Sequence, residues 1–325
     1  MEEQFFEERT NLQQLNQAVD ELKQEVSRVI IGQEAMVELL LVALLADGHV
    51  LIEGVPGVAK TLTARLLSKA VDVGFSRIQF TPDLMPGDVL GTSIFHPQQA
   101  SFQFRKGPIF SNLVLIDEIN RAPAKTQAAL FEVMEEKQVT IDGSTYTMDP
   151  PFLVVATQNP VEQEGTYHLP EAQLDRFLFK ILIDYPTIEE EVTILKLHHE
   201  KGAENLLNVI RPVLNKEQLL LLRQQVKQIH VEEKLLGFIA AIVNQTRNHK
   251  HIYLGASPRA SIGILNASKA YAAINARDFV TPEDVVFVTA PVLRHRIIIT
   301  PEKEMEGGTA DEVIKEIVQT IEVPR

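Results

Sequence analysis

From Leu12 the apolar residues recur as Leu15, Val19, Leu22, Val26 and Val29, at spacings of three and four that predict one apolar helical face. Three heptads are few for a coiled coil, so the stretch reads as a helix docked on a core. A second apolar helix is predicted from about Glu34 to Ala46. His49-Val50-Leu51-Ile52-Glu53 has the continuous apolar character of a buried strand and runs straight into Gly54. Ser76 to Phe80, Leu113 to Ile116 and Phe152 to Ala156 repeat that character, with helix-like stretches between them, as parallel crossovers require. The pattern predicts an α/β domain.

Two segments depart from this alternation. Gly91 to Phe95 and Ala100 to Phe104 flank His96-Pro97-Gln98-Gln99 as a predicted hairpin. Gln138 to Ile141 and Ser144 to Met148 flank Asp142-Gly143, a turn pair whose residues both tolerate positive φ. After Pro186 the pattern changes to helices with marked starts. Thr187 precedes Glu190 by three residues, a capping box. Ser257-Pro258 and Thr281-Pro282 place a capping hydroxyl before proline, and Thr309 precedes a further amphipathic stretch. The expected organisation is an α/β domain over 1–187, with inserts at about 80–107 and 137–149, and an all-helical domain over 188–325.

The length of 325 residues suits two or three domains. A content of 45% hydrophobic and 23% charged residues excludes disorder and a fibrous repeat. Thirty-one basic against 44 acidic side chains give a net charge of −13, and residues 1–187 carry 14 basic and 26 acidic ones. With no Lys/Arg cluster, this balance argues against nucleic acid as the partner. The absence of Cys removes disulfides, thiolate metal sites and Cys nucleophiles. The longest apolar run, Leu39 to Ala46, is far shorter than the about 20 residues of a membrane span. The acidic start, Met1-Glu2-Glu3-Gln4, is unlike a secretory signal, so a cytoplasmic location is expected.

The strand-to-glycine junction carries the chemistry. Gly54-Val55-Pro56-Gly57-Val58-Ala59-Lys60-Thr61 lies between a buried strand and a helix near Thr61-Leu62 to Leu67. A glycine-rich loop there lets backbone N–H groups close on phosphate oxygens at a helix N-terminus. Lys60 then reaches the β- and γ-phosphates, and the Thr61 hydroxyl ligates Mg²⁺. Ala59 replaces the second glycine of the general motif, which is acceptable if that position has helical φ, and Gly57 adds freedom the motif does not require. Leu113-Val114-Leu115-Ile116-Asp117-Glu118 is an apolar strand ending in two carboxylates. Asp117 suits the Mg²⁺ shell and Glu118 the polarisation of an attacking water. The pairing of loop and acids points to ATP or GTP. The strand Phe152 to Ala156 ends in Thr157-Gln158-Asn159-Pro160, which puts Asn159 in place to orient that water. Arg176 and Arg259 are candidate transition-state cations. His198-His199 and His249/His251 lack a suggestive partner spacing and read as solvated surface histidines. There is no G-x-S-x-G elbow.

The phosphate loop, Leu115-Ile116-Asp117-Glu118-Ile119-Asn120-Arg121-Ala122-Pro123 and the run from Ala156 through Leu169-Pro170-Glu171-Ala172-Gln173-Leu174-Asp175-Arg176-Phe177 together resemble the MoxR family of AAA+ ATPases over nearly the whole chain. The resemblance implies a P-loop NTPase core, its parallel sheet sandwiched by helices, followed by an all-α lid. It implies that Asn159 is sensor 1, Arg176 an arginine finger for a neighbouring subunit's nucleotide, and Arg259 sensor 2. The first hairpin then corresponds to the helix-2 insert, the second to the pre-sensor-1 insert, and Ile30-Ile31-Gly32-Gln33 to an adenine-side contact. His168 stands where the family usually has proline. Also implied are Mg²⁺-dependent ATP hydrolysis, a homo-oligomer expected to be a hexameric ring, and chaperone work on client proteins. Those clients often carry a von Willebrand factor A domain or await a metal or cofactor. A magnesium-chelatase-like ATPase subunit and a nucleic-acid motor of the same clade remain alternatives. Neither insert carries the Gly-Ala-Phe-Thr-Gly-Ala loop of related transcription activators.

Overall fold

The computed structural model describes residues 13–324 apart from 56, 99, 160–166, 168 and 202–208. Contacts divide the chain into two compact units: Leu22–Leu40 with Asp47–Leu220, and Met1–Glu21 with Leu41–Ala46 and Leu221–Arg325. Helices α1 (Gln13–Ser27) and α2 (Glu34–Leu45) each contribute to both.

The first unit is built on β1 (His49–Gly54), β2 (Phe75–Gln79), β5 (Leu113–Asp117), β8 (Leu153–Gln158) and β9 (Phe177–Ile183). These form one parallel sheet in the order β2-β5-β8-β1-β9. β5 is buried along its whole length, as an unbroken aliphatic strand inside a covered parallel sheet must be. Leu51, Val114, Ile116, Phe131, Val154 and Phe177 belong to one core cluster. The crossovers are helical: α3 (Lys60–Ala70) follows β1, and α5 (Ala124–Glu136) follows β5. Buried His49 joins strand to helix. Its Nδ1 accepts the Val154 N–H at 3.0 Å and its Nε2 lies 3.1 Å from the Met134 carbonyl, which fixes the Nε2–H tautomer.

The sequence pattern does not mark β9. Its apolar run is broken by Lys180, which pairs with Glu53 on β1 at 2.9 Å, and its start coincides with the motif ending in Phe177. Register aligns Ile52 with Thr157, Ile116 with Ala156, and Gln79 with Asp117, so Gly54, Asp117 and Gln158 meet at the C-terminal edge of the sheet. That is the edge where open α/β sheets bind ligands.

Both hairpins form as the pattern predicts. α4 (Pro86–Leu90) leads into β3 (Gly91–His96) and β4 (Ser101–Lys106), and β6 (Gln138–Ile141) turns into β7 (Ser144–Thr147). Asp142 and Gly143 have φ of 51° and 77°, the doubly positive turn their types allow. The rings of Phe104 and Tyr146, 4.4 Å apart between centroids, join the hairpins, as does a hydrogen bond from Ser93 to Asp142. The short α6 (Glu171–Leu174) precedes β9, and α7 (Ile188–Lys201) begins with the expected reciprocal capping between Thr187 and Glu190. It groups with the sheet, together with the chain up to Leu220, rather than with the C-terminal unit. The change after Pro186 thus marks a switch from strand to helix inside one compact unit.

The second unit is helical, with helices Glu233–Asn248, Pro258–Ile274, Pro282–Leu293 and Ala310–Thr320. Ser257, Thr281 and Thr309 all stand as their N-caps. It departs from an all-helical unit in an antiparallel ribbon of β10 (Ile252–Leu254) and β11 (Ile298–Ile299), too short to show a sequence period, and in a parallel bridge between His230 and Phe279. His249, expected on the solvated surface, is largely buried, with its Nε2 3.9 Å from Glu316. Burial, then the neighbouring His251, lowers its basicity.

Candidate nucleotide site

The loop between β1 and α3 is shaped by two backbone features. A Cβ on Gly54 would come within 2.7 Å of the Ile183 carbonyl oxygen, so no larger residue ends β1 without displacing β9. Gly57 has φ of 89°. Ala59, the N-cap of α3, has φ of 59° and ψ of 17°, a left-handed conformation rather than the helical φ expected for an alanine there. The general motif's glycine would occupy it without strain; alanine holds it at a cost of about 1–2 kcal/mol. Pro56 lies outside the described residues.

Lys60 opens α3 and its Nζ donates to the Gly54 carbonyl at 2.6 Å, folding the side chain over the loop. Burial pushes its ammonium below the ordinary lysine value, against the opposing pull of Asp117, Glu118 and Glu53. Thr61 Oγ1 lies 3.5 Å from Asp117 Oδ1. Thr157 Oγ1 donates to that same oxygen at 3.2 Å and accepts the Glu118 N–H at 3.1 Å. Glu118 has φ of 57°, a left-handed turn that ends the strand and precedes a 3-10 turn over Ile119–Arg121. Its Oε2 accepts from Gln79 Nε2 at 3.0 Å and pairs with Arg121 Nε at 2.9 Å.

Lys60, Thr61, Asp117 and Glu118 are thus brought together, with Asn159 directly after β8 at the same edge. The donors fit the groups they would hold. Backbone N–H groups, a desolvated ammonium and a helix N-terminus suit polyphosphate. A hydroxyl beside a carboxylate suits the oxygen shell of Mg²⁺.

Beside the loop lies a cavity of about 150 Å³. Ile31, Gly57, Val58, Ala59 and Leu62 line it, with Leu197 and His198 of α7, which the pattern did not mark. Gly32 adjoins it with φ of 73°, and any Cβ there would meet the Glu190 carboxylate. An apolar slot next to a phosphate loop has the chemistry to take a purine ring.

Arg176 is not part of this cluster. It directly precedes β9, whose Phe177 pairs with His49 at the start of β1, whereas the phosphate loop leaves the other end, where Gly54 pairs with Ile183. Six strand residues at about 3.3 Å each separate those edges by about 20 Å. Arg176 donates to the Phe131 carbonyl, and its buried Nε has no hydrogen-bond partner. Arg259 lies in the second unit, in the first turn after Ser257, whose hydroxyl accepts its backbone N–H at 3.2 Å. The pattern missed Arg77, Gln79 and Thr157 as supports of the two acids. The available signal was the alternation of Arg77 and Gln79 on one face of β2, level with Leu115 and Asp117.

Strand order and loop define a P-loop nucleotide-binding fold. Residues 49–179 match the family described as ATPase family associated with various cellular activities (AAA), and residues 244–317 match the AAA lid domain. The chain is 44% identical over 310 residues to Chaperone MoxR1 of Mycobacterium tuberculosis, covering 93% of this chain and 81% of that one. It is 46% identical over 301 residues to uncharacterized protein YeaC of Bacillus subtilis, covering 93% of each. It is also 26% identical over 334 residues to Protein MoxR of Methylorubrum extorquens, covering 94% and 95%. The crystal structure of a candidate ATPase from Cytophaga hutchinsonii superposes with a TM-score of 0.88 at 42% identity, covering 95% of this chain and 96% of that one. The chain belongs to the MoxR family of AAA+ ATPases.

Proposed function

We propose that the protein is a Mg²⁺-dependent ATPase that works as a hexameric ring of its own copies and uses turnover to remodel client proteins. The carrying observation is the split of the expected catalytic set. Lys60, Thr61, Asp117 and Glu118 sit at one edge of the sheet, and Arg176 is attached to the other. An arginine about 20 Å from its own phosphate loop is out of reach of that nucleotide, which supports action on a neighbouring copy's γ-phosphate.

Within one copy, the loop N–H groups and Lys60 hold the phosphates, and the cavity beside Ile31 takes the base. Thr61 and Asp117 would hold Mg²⁺, which supplies neutralisation of charge developing on the phosphate oxygens. Glu118 takes the proton of the attacking water, which Asn159 orients. Arg259 has the sensor-2 role by resemblance. The relative named Chaperone MoxR1 supports a chaperone role. We extend it to clients with a von Willebrand factor A domain or an unfilled metal or cofactor site, in the cytoplasm. No described helix is long and apolar enough to cross a membrane.

The test is ATP turnover by the full chain against Glu118→Gln. Loss of a general base costs about 10²- to 10⁴-fold, so the variant should bind ATP and hold it unhydrolysed. Held in that state, it should retain a client that Lys60→Ala releases. Undiminished turnover by Glu118→Gln contradicts the assignment.

A further inference from the structure

Each carboxylate at the end of β5 carries an arginine: Arg121 on Glu118 belongs to the family motif, whereas Arg77 on Asp117 lies outside both that motif and the phosphate loop. Asp117 is the more constrained. Only 10% of its side chain is exposed, and Oδ1 is engaged by the hydroxyls of Thr61 and Thr157. Its other oxygen, Oδ2, accepts from Arg77 Nε at 2.6 Å. Arg77 comes from β2, the edge strand beside β5, two residues before Gln79, which sits opposite Asp117. Its side chain is 55% exposed. The pair therefore joins a fixed anion to a cation that can swing into water with little loss of packing.

From this asymmetry, and resting on the nucleotide reading above, we infer that Arg77 is a positioning residue for the metal site. It is a tethered cation that holds and neutralises Asp117 and competes with a divalent ion for it. Cations on the two oxygens of one carboxylate repel each other, so an ion engaging Thr61 and Asp117 Oδ1 competes with the guanidinium on Oδ2. Arg77 thereby raises the Mg²⁺ concentration at which the site fills, while adding nothing to nucleotide held without metal. Its attachment to β2 rather than to the phosphate loop makes this setting separable from phosphate binding.

The experiment is equilibrium binding of a fluorescent ATP analogue to the full chain, titrated with MgCl₂ and repeated in EDTA, for wild type, Arg77→Gln and Arg77→Lys. A half-exposed ion pair is a modest competitor, so Arg77→Gln should lower the half-saturating Mg²⁺ concentration by about three- to fivefold. Affinity in EDTA should stay within about twofold of wild type. Arg77→Lys, which keeps the charge, should restore the wild-type Mg²⁺ requirement. An unchanged or raised Mg²⁺ requirement in Arg77→Gln overturns the inference, as does an Arg77→Lys that behaves like the Gln variant. A wild-type chain that binds no analogue with or without Mg²⁺ overturns the nucleotide reading, and this inference with it.

Discussion

The hydroxyl of Thr157 lies between two strands, donating to Asp117 at 3.2 Å and accepting the backbone N–H of Glu118 at 3.1 Å. One buried side chain on β8 thus fixes both acids that end β5. Thr157→Val keeps the shape and removes both bonds. A buried N–H left unpaired costs about 1–3 kcal/mol, so denaturant unfolding should show a loss in that range, with a fall in turnover. Thr157→Ser should recover both.

The left-handed Ala59 leads to a second expectation. Glycine occupies that conformation freely but gains more entropy in the unfolded chain. The balance predicts that Ala59→Gly is neutral or stabilising by up to about 1 kcal/mol, with nucleotide affinity within a few-fold of wild type. A loss of stability beyond that range, read from thermal melts, would mean that the loop does not hold Ala59 as described.

Lys60 ties binding to pH. Burial lowers the basicity of its ammonium in the free protein, and phosphate oxygens would raise it again. Between the lowered and the restored values, binding takes up a proton. Nucleotide affinity should therefore fall as pH rises through that alkaline window, and calorimetry in buffers of different ionisation enthalpy should show proton uptake. Proton release on binding would contradict this. For folding alone the sign is opposite. The unfolded lysine binds more protons in that window, so the Lys60 contribution to stability improves with rising pH.

In the second unit, Arg277 holds Asp284, a side chain only 1% exposed, with one nitrogen at 2.6 Å from Oδ2 and a second on Oδ1. Asp284 in turn accepts the backbone N–H of Thr281 at 2.8 Å, which starts the helix Pro282–Leu293. Removing the arginine leaves a buried charge uncompensated. Arg277→Ala should destabilise the protein by about 3–5 kcal/mol, read by denaturant melts, with little change in nucleotide affinity.

Much of this was legible in the chain. Apolar runs marked four of the five parallel strands, among them those leading into Gly54 and into Asp117-Glu118, because buried parallel strands read as unbroken aliphatic runs. Asp142-Gly143 and the capping residues Thr187, Ser257, Thr281 and Thr309 are local signals, and each took its expected conformation. What escaped depends on distant pairing. β9 pairs along the whole of β1, where the Lys180 that interrupts its apolar run meets Glu53; α7 groups with the sheet, and its Leu197 and His198 line a cavity with residues far away in sequence. Ala59 took a left-handed conformation imposed by the loop, against its own preference. The supports Arg77, Gln79 and Thr157 become visible once β2, β5 and β8 are set in register.

The most direct test of a site completed by a neighbour mixes two inactive chains. Arg176→Ala keeps the phosphate loop and loses the finger; Lys60→Ala keeps the finger and loses the loop. Alone, each should turn over ATP at least about 10³-fold more slowly than wild type. Mixed in equal amounts and allowed to exchange, they should recover turnover, up to about a quarter of the wild-type rate, since that share of random interfaces pairs an intact loop with an intact finger. Recovery of that order is the predicted result. An Arg176→Ala chain that is fully active alone, or a mixture that stays inactive despite demonstrated subunit exchange, would contradict the account.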